Sequence, residues 1–558
     1  MPSSSGISRR NVLQSIGIGV AAAVTGVSLS ACSTASSGDS LSNDGKKLAP
    51  WPAYIPQPAA AKPDLAPNDK GVQPGYLTYP QDLKQSVAEK PGNGEKITVW
   101  TITWGAPPKP KEKHKLWQAL NKALGVDLDL LVVPAMESNQ KFASLVAGGE
   151  LPDIIAVSAN LPNPTELIAA KCQDLTEFVS GDAIKDYPNL AAIPTYAWKA
   201  SPRIAGRIYR IPVERPRIGH SLNANMERLK EAGIWVPEIG GLAADDFTKG
   251  LRQITGRKKW GMGVAGLGAF GFNSIMPMFG AANQWSLKDG EFITSQAGDE
   301  YKAGLEQLVK WQKAGVFRAD PLSHDATLGT DFQTGITATV SRANADYISN
   351  AVAIKDGFTL ETVRPLKPSN GATPGHWFSS GADYQTVLKK ASKDRVKLML
   401  RVLDFLAAPF GTKEYELINY GVEGTHFERA DDGSPVQNEF ALSGDSKDTL
   451  GVGFMCCPQQ VMFLPAAVPN GSEAVKRRHA FQTEIAEVGI ADPSVGLLSK
   501  TMLAKTNELM LLREDTLKAI VMGRKPLSAW DDMVKEWHAK GGRKAADEFA
   551  KAYEAAQA

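Results

Sequence analysis

Residues 96–104 read KITVWTITW, a run dominated by β-branched and aromatic residues. This pattern predicts a strand. A Gly-Ala-Pro-Pro turn follows the run, so we expect Trp104 at the C-terminal end of the strand. Leucines then recur every four residues on one face, which predicts a helix; they are Leu116, Leu120 and Leu124.

Two more strands are predicted directly downstream, at residues 126–133 and 152–157, with a short helix over residues 139–147 between them. The order strand, helix, strand, helix, strand is typical of a parallel sheet covered by helices. In such sheets ligands bind beyond the carboxyl ends of the strands. Trp104 and Asn160 are both expected there.

The chain has 558 residues, of which 43% are hydrophobic, enough for two or three domains with a large core. Further helices are predicted at residues 224–232 and 301–313, and the last hundred residues are largely helical. The formal net charge is +2. This balance offers no long-range attraction to nucleic acid or to an anionic membrane, and it suits a neutral partner.

The N-terminus has the features of an export signal. Arg9 and Arg10 precede an apolar segment at residues 12–29, and Leu-Ser-Ala leads into Cys32. This site resembles the bacterial lipobox, in which the cysteine takes a lipid after cleavage before it. We therefore predict a signal peptide at residues 1–31 and lipid attachment at Cys32. A single-span anchor is the alternative, and export by the twin-arginine or the Sec route stays open.

Residues 32–95 are predicted to form a lipid-anchored linker. Their first part is rich in Ser, Gly and Asp, and nine prolines fall between Pro50 and Pro91. Such a composition does not bury enough apolar surface to offset its ordering entropy. Trp51, Tyr54 and Tyr76 nevertheless suggest that part of the linker lies against the folded body.

Three cysteines remain besides Cys32. Cys456 and Cys457 are adjacent, which disfavours a bond between them. Buried free thiols are the preferred prediction, and a disulfide from Cys172 to one of the pair stays open.

The sequence offers no recognisable catalytic or metal site. The seven histidines are scattered, and neither H-E-x-x-H, C-x-x-C nor G-x-S-x-G is present. Two G-x-G-x-x-G matches, at residues 261–266 and 266–271, lack the strand and helix that a dinucleotide site requires. We therefore predict no cofactor, no metal and no enzyme activity.

The positions of the tryptophans indicate what kind of ligand the protein could bind. Trp104, Trp198, Trp260, Trp285 and Trp377 fall near strand ends or in Gly- and Pro-rich loops rather than in helical stripes. Flat rings with polar neighbours suit the apolar faces and polar edges of a sugar. Ordinary core packing is the alternative for each of them.

Several stretches together resemble a known family. Residues 206–212 read GRIYRIP, residues 229–237 read LKEAGIWVP, residues 314–321 read AGVFRADP, residues 420–427 read YGVEGTHF and residues 523–531 read GRKPLSAWD. They are similar to segments of the extracellular solute-binding proteins of ABC importers. The likeness is greatest to the family 1 lipoprotein branch of sugar binders related to LplA.

The resemblance implies an α/β fold of class II, like the periplasmic binding proteins, with two lobes, parallel-rich sheets flanked by helices and a helical C-terminus. Within residues 96–558 we expect interleaved lobes, approximately 96–215 plus 335–430 and 216–334 plus 431–558. The lobes would close on the ligand, and the transmembrane subunits of a permease would recognise the closed state.

The function expected from this resemblance is capture of a carbohydrate, most simply an oligosaccharide, by a lipid-anchored monomer on the extracytoplasmic face of the cell membrane. A secreted glycan hydrolase and a sensory or adhesive binding lipoprotein are the alternatives. Glu423 and His426 either contact the ligand or hold a loop. The predicted ligand-binding set is Trp104, Asn160, Trp198, Arg217, Asn273, Trp285, Trp377, Tyr384, Glu423 and His426.

Overall fold

The computed structural model describes residues 41–158, 164–264, 269–323, 327–354 and 357–557, so the predicted signal peptide and Cys32 lie outside the described residues. The strands are β1 (Lys96–Thr103), β2 (Asp127–Pro134), β3 (Ile154–Ser158), β4 (Ile211–Glu214), β5 (His220–Asn225), β6 (Trp260–Gly263), β7 (Trp285–Lys288), β8 (Glu291–Thr294), β9 (Thr337–Ala343), β10 (Leu360–Thr362), β11 (His376–Trp377), β12 (Ala382–Leu388), β13 (Phe427–Arg429), β14 (Pro435–Gln437) and β15 (Gly489–Ile490).

Helices cover both sheets and form most of the C-terminus. The α-helices are α1 (Lys115–Leu124), α2 (Ser138–Gly148), α3 (Pro164–Lys171), α4 (Thr176–Val179), α5 (Pro188–Ala191), α6 (Thr195–Lys199), α7 (Met226–Glu231), α8 (Ala244–Gln253), α9 (Phe272–Ile275), α10 (Asp299–Ala314), α11 (Leu328–Gln333), α12 (Tyr347–Ile354), α13 (Lys393–Leu406), α14 (Lys413–Tyr420), α15 (Glu439–Leu442), α16 (Lys447–Leu450), α17 (Gly471–Glu487), α18 (Lys500–Val521), α19 (Ala529–Trp537) and α20 (Arg543–Gln557).

The first sheet has the strand order β2-β1-β3-β12-β4. β1 pairs in parallel with β2 and β3, which confirms the predicted strand and helix alternation. β12 runs antiparallel to both β3 and β4. As a result, the C-terminal ends of β1, β3 and β4 and the N-terminal end of β12 meet at one edge of this sheet.

The second sheet has the order β10-β5-β9-β6. β5 runs antiparallel to β9 and β10, and β6 runs parallel to β9. Its β5 begins at His220, only a few residues after β4 of the first sheet ends at Glu214. The start of β5 and the end of β9 therefore lie at the edge that faces the first sheet.

Each sheet has its own hydrophobic core, which defines two lobes. The first core takes residues between Ile97 and Ile211 and again between Ala382 and Cys456. The second takes residues between Leu222 and Trp377 and again from Leu509 to Phe549.

The approximate boundaries expected from the sequence differ from these cores in two places. Residues 337–377 pack with the second lobe, because β9 pairs with β5, and residues 435–456 pack with the first. Hydrophobic periodicity predicts that a strand exists but not which sheet it joins.

Residues 41–95, which we call the strap, are packed along both lobes rather than forming a loose linker. On the first lobe, the Ala49 amide donates to the Gly206 carbonyl oxygen at 2.8 Å, and the Arg203 guanidinium lies 3.8 Å from the centre of the Trp51 ring. The strap then reaches the second lobe, where the Gln73 amide donates to Gln482 Oε1 at 3.0 Å.

The strap differs from the composition-based prediction because its few apolar side chains find complementary surface. Tyr79 is buried in an aromatic cluster with Phe410, Tyr420 and Phe463, and its hydroxyl donates to Glu416 at 2.8 Å. The prolines do not oppose this packing, because the strap makes many of its backbone hydrogen bonds with the lobes and needs no regular secondary structure of its own.

Helices α18, α19 and α20 confirm the predicted helical C-terminus and pack on the second lobe, where Trp530 stacks on Tyr301 at 5.2 Å between ring centres. Across the described ranges, every helix falls short of the length and apolar character needed to cross a membrane. Cys172, Cys456 and Cys457 are free thiols.

Because the strap is packed against the lobes, we expect substitutions of its buried and its exposed tyrosines to differ in their effect on stability. Tyr79→Ala should lower the free energy of unfolding by roughly 3 kcal/mol, because it removes a buried ring and a hydrogen bond. Tyr54→Ala, on the same segment but half exposed, should change it by less than about 1 kcal/mol. Urea unfolding of both variants measures this, and equal, negligible effects would show that the strap is a loose tether.

Candidate ligand-binding cleft

The two sheet edges that face each other form a cleft. Trp104 follows β1, Tyr384 lies near the start of β12 and Arg215 follows β4 on the first lobe. His220 starts β5 and Asp346 follows β9 on the second lobe. Sequence reasoning placed Trp104 at a strand end, and the topology brings the other four to the same space.

The chain crosses between the lobes at the base of this cleft. The two crossings, residues 215–219 and 378–381, are hydrogen-bonded to each other. The Ser379 amide donates to the Arg217 carbonyl oxygen at 2.8 Å, and the Arg215 amide donates to the Gly381 carbonyl oxygen at 3.0 Å. The Ser379 hydroxyl adds a bond of 2.7 Å to the Pro216 carbonyl oxygen. This short ribbon is the hinge.

A buried carboxyl group holds the first-lobe end of the hinge. Glu214 accepts hydrogen bonds from the Tyr196 hydroxyl at 2.7 Å and from the Gln460 amide at 2.9 Å. Gln460 belongs to the segment that leads from the first lobe to α17, so Glu214 links a further crossing to the hinge. Burial raises the pKa of Glu214 to about 7, against the opposing effect of these hydrogen bonds.

Aromatic side chains line the first-lobe wall of the cleft. The Trp104 side chain is 64% exposed, and its Nε1 donates to the Tyr384 hydroxyl at 3.1 Å. Tyr384 meets Phe454 edge to face at 4.9 Å between ring centres, and the Arg215 guanidinium lies within 6 Å of both rings, at 5.8 and 5.5 Å. An apolar surface of this kind, rimmed by polar groups, suits a ligand with flat apolar faces.

Charged and polar side chains from both lobes interact across the cleft. Two of them are carboxylates from opposite lobes, and the others are cationic or imidazole groups. Partial loss of water lowers the pKa of His220 and raises that of Asp346. The His220 side chain is still exposed, and Asp346 is half-buried. We call this set the cleft cluster; it consists of Arg215, His220, Arg342, Asp346 and Asp383.

Three of the predicted tryptophans are core residues in this conformation. Trp198 is fully buried in the first core, and Trp285 and Trp377 are buried in the second. Trp285 packs on Phe292, and Trp377 Nε1 donates to the Ala281 carbonyl oxygen at 2.7 Å. Their position near loops in the sequence did not distinguish a ring that faces the core from one that faces the cleft.

Two other predicted residues lie close to the cleft. The Arg217 guanidinium, at the hinge, lies 4.9 Å from the centre of the Phe378 ring. Asn273 is half-buried on α9, next to Ser274, whose hydroxyl is 2.7 Å from that of Ser341 near the end of β9. Asn160 lies outside the described residues.

The loop that contains Glu423 and His426 is held by its own contacts. Glu423 is exposed and pairs with Arg429 at 3.0 Å. His426 is fully buried, accepts a hydrogen bond from the Val422 amide at Nδ1 and places Nε2 3.0 Å from Asp445 Oδ1. These contacts favour the loop-holding role for His426 over ligand contact.

Asp445 connects this loop to the start of the fold. Its carboxylate accepts hydrogen bonds from the amides of Lys115 and Leu116 at the N-terminus of α1. Nδ1 of His114 lies 3.0 Å from the same carboxylate. Burial opposes ionisation of Asp445, but the hydrogen bonds from Leu116, His426 and Lys115 outweigh it and lower its pKa.

No group of three or more His, Cys, Asp or Glu side chains in the described ranges is arranged to hold a metal ion. The Gly-rich stretch that starts at Gly261 begins within β6, a short strand of the second sheet.

The buried contacts of His426 predict that it stabilises the fold without affecting binding. His426→Ala should lower the free energy of unfolding by about 2–4 kcal/mol, because it leaves the buried Asp445 carboxylate without one partner. Glu423→Ala, in the same loop but exposed, should cost less than about 1 kcal/mol. Thermal unfolding and ligand titration of both variants test this; lost affinity at unchanged stability would assign His426 to the ligand.

Comparison with known proteins agrees with the two-lobed architecture. The model of the bacterial extracellular solute-binding protein family matches residues 115–401. The polygalacturonan/rhamnogalacturonan-binding protein YtcQ of Bacillus subtilis is 23% identical over 504 residues, covering 87% of this chain and 97% of the relative. Lipoprotein LipO of the same organism is 22% identical over 472 residues, covering 81% and 91%.

Among solved structures, the S. pneumoniae ABC-transporter substrate-binding protein FusA in complex with kestose superposes with a TM-score of 0.61 at 16% identity. The superposition covers 83% of this chain and 99% of FusA, which shows that the two share a fold. The family model matches more than half of this chain, so the chain belongs to the bacterial extracellular solute-binding proteins.

Proposed function

We propose that this protein captures a carbohydrate, most simply an oligosaccharide, in the cleft between its lobes and delivers it to the permease of an ABC importer. The observation that carries the proposal is the Trp104 ring, exposed at the cleft edge beside Tyr384. A large exposed ring supported by a second aromatic residue offers a stacking surface for the C–H face of a sugar.

Closure of the lobes supplies the rest of the affinity. The hinge is a short hydrogen-bonded ribbon, so the lobes rotate about it without repacking either core. Closure then removes Trp104 and the cleft cluster from water, which strengthens stacking and hydrogen bonds to the ligand. The ligand favours the closed state because it contacts both walls only there.

The relatives support this reading. YtcQ carries a polysaccharide in its name, and FusA is described as an ABC-transporter substrate-binding protein with kestose bound. Delivery to transmembrane permease subunits by a monomer is the corresponding role for this chain. The role involves no bond cleavage, so an oligosaccharide recovered after prolonged incubation should be intact.

Loss of the exposed ring should weaken carbohydrate binding. Trp104→Ala is expected to lower the affinity for a bound oligosaccharide by about tenfold or more, because stacking and buried apolar area are lost. Isothermal titration against a panel of oligosaccharides measures this.

Trp260→Ala is the matched control, because Trp260 starts β6 and so lies at the end of the second sheet remote from the cleft. It should leave the affinity unchanged. Equal affinities for wild type and Trp104→Ala would remove Trp104 from the site, and failure of every carbohydrate to bind would refute the proposed function.

We further propose that the chain is exported by the signal at residues 1–31 and anchored by lipid at Cys32 on the extracytoplasmic face of the membrane. LipO, a relative, is named as a lipoprotein. The packed strap begins at Leu41, nine residues after Cys32, and those residues span at most about 30 Å. The binding body would therefore stay close to the membrane and to a permease within it.

Cys32→Ala should release the protein from the membrane fraction and abolish labelling by a fatty-acid analogue. Cys172→Ala, which removes a buried thiol of the folded body, should remain labelled and membrane-bound. Cell fractionation with in-cell labelling measures both. A Cys32→Ala chain that stays lipid-labelled would exclude Cys32 as the anchor.

A further inference from the structure

The cleft cluster is balanced in charge and drawn from both lobes. Arg215 and Asp383 belong to the first lobe, and His220, Arg342 and Asp346 belong to the second. The cluster contains two guanidinium groups and two carboxylates, and loss of water lowers the pKa of His220, which disfavours its charged form. A ligand in the cleft therefore meets hydrogen-bond donors and acceptors in equal measure and no excess of either charge.

Among the described residues, the carboxylates of this cluster have charged neighbours but are not bonded to them. Within the described ranges, Asp346 and Asp383 accept no side-chain hydrogen bond and form no ion pair, and neither does the Arg342 guanidinium. Glu214, the last residue of β4, differs from them, because its carboxyl group accepts two hydrogen bonds, at 2.7 and 2.9 Å. Asp383 is exposed and Asp346 is half-buried, so both carboxylates are open to a ligand in the cleft. A ligand that buries them when the lobes close must supply hydrogen bonds, because a buried charge without a partner is costly.

Arg215 shows that the cluster is held in position rather than mobile. Its guanidinium donates to the carbonyl oxygen of Glu214 at 2.9 Å and to Cys457 Sγ at 3.3 Å, and it lies beside the Tyr384 and Phe454 rings. None of these contacts neutralises its charge. It therefore stays available to an acceptor on a ligand that stacks against the same aromatic wall.

Sugar hydroxyls match this set. A hydroxyl both donates and accepts, so neighbouring hydroxyls of one sugar ring can donate to Asp346 or Asp383 while accepting from Arg215 or Arg342. The arginines would attract a sugar carboxylate, but both aspartates would repel it. A neutral sugar ring is not repelled. The cluster thus favours an uncharged sugar over a uronic acid.

We propose that the cleft cluster is a subsite for the hydroxyl groups of an uncharged sugar residue and that Asp346 and Asp383, from opposite lobes, select against acidic sugars. This proposal rests on the proposed carbohydrate-binding function and specifies its ligand class. Because each aspartate belongs to a different lobe, a ring bound between them also favours the closed state.

The test compares neutral and acidic oligosaccharides of equal length. The neutral probes are cellotetraose, xylotetraose, mannotetraose and maltotetraose, and the acidic probes are tetragalacturonate and tetramannuronate. Titration calorimetry uses wild type, Asp346→Asn and Asp383→Asn at low and high salt. Asp289→Asn is the matched control, because Asp289 is exposed in the turn between β7 and β8, where asparagine also tolerates its φ of 51°.

We expect a neutral probe to bind and its affinity to change little with salt. Asp346→Asn and Asp383→Asn should each weaken this binding by about tenfold or more, because a charge-assisted hydrogen bond becomes a neutral one. Asp289→Asn should bind as wild type does. The melting temperature of the Asp346→Asn variant should not fall, because the half-buried Asp346 carboxylate makes no hydrogen bond or ion pair within the described ranges. Weakened binding would therefore not reflect misfolding.

Three results would overturn the proposal. Binding of the acidic probes alone, strengthened by Asp346→Asn or Asp383→Asn, would show that the site takes a uronic acid while leaving carbohydrate binding intact. Unchanged affinity in both variants would show that these aspartates serve only to pair with the arginines on closure. Failure of every probe to bind would refute the carbohydrate function itself.

Discussion

The repeated passage of the chain between two cores is the constraint on which the rest of the structure depends. Each sheet contains strands from both sides of a crossing, so neither lobe is a continuous piece of sequence. The crossings are bonded to each other through Ser379 and Arg217 and are anchored by buried Glu214. The two cores are thereby joined by short crossings and by the strap, and each core is a separate packed unit.

Several polar groups away from the cleft are paired within the protein. The strap is hydrogen-bonded to both lobes, and its Gln73 accepts from the side chain of Asn344, directly after β9. On the first lobe, His426 and Asp445 tie a late loop to the start of α1. Such pairing holds the two walls in place, and in the proposal above a ligand would pair with the carboxylates of the cleft cluster.

Whether a predicted site residue reaches the cleft depends on whether its side chain faces a sheet edge or a core. Trp104 and Tyr384 lie at a sheet edge that opens to solvent, whereas Trp198, Trp285 and Trp377 fill the cores. Sequence reasoning missed the cleft cluster. Arg342, Asp346 and Asp383 carry no local signal, because only β9 and β12 bring them to the cleft.

The sequence by itself determined the alternation of strands and helices from residue 96, the helical C-terminus and the family likeness, because periodicity, turn residues and short motifs are local properties. Only the tertiary structure decided which sheet β9 joins, that the proline-rich strap is packed, and that His426 faces Asp445 rather than the cleft. Those outcomes depend on contacts between residues far apart in the chain, and the free energy of such contacts is absent from any short window of sequence.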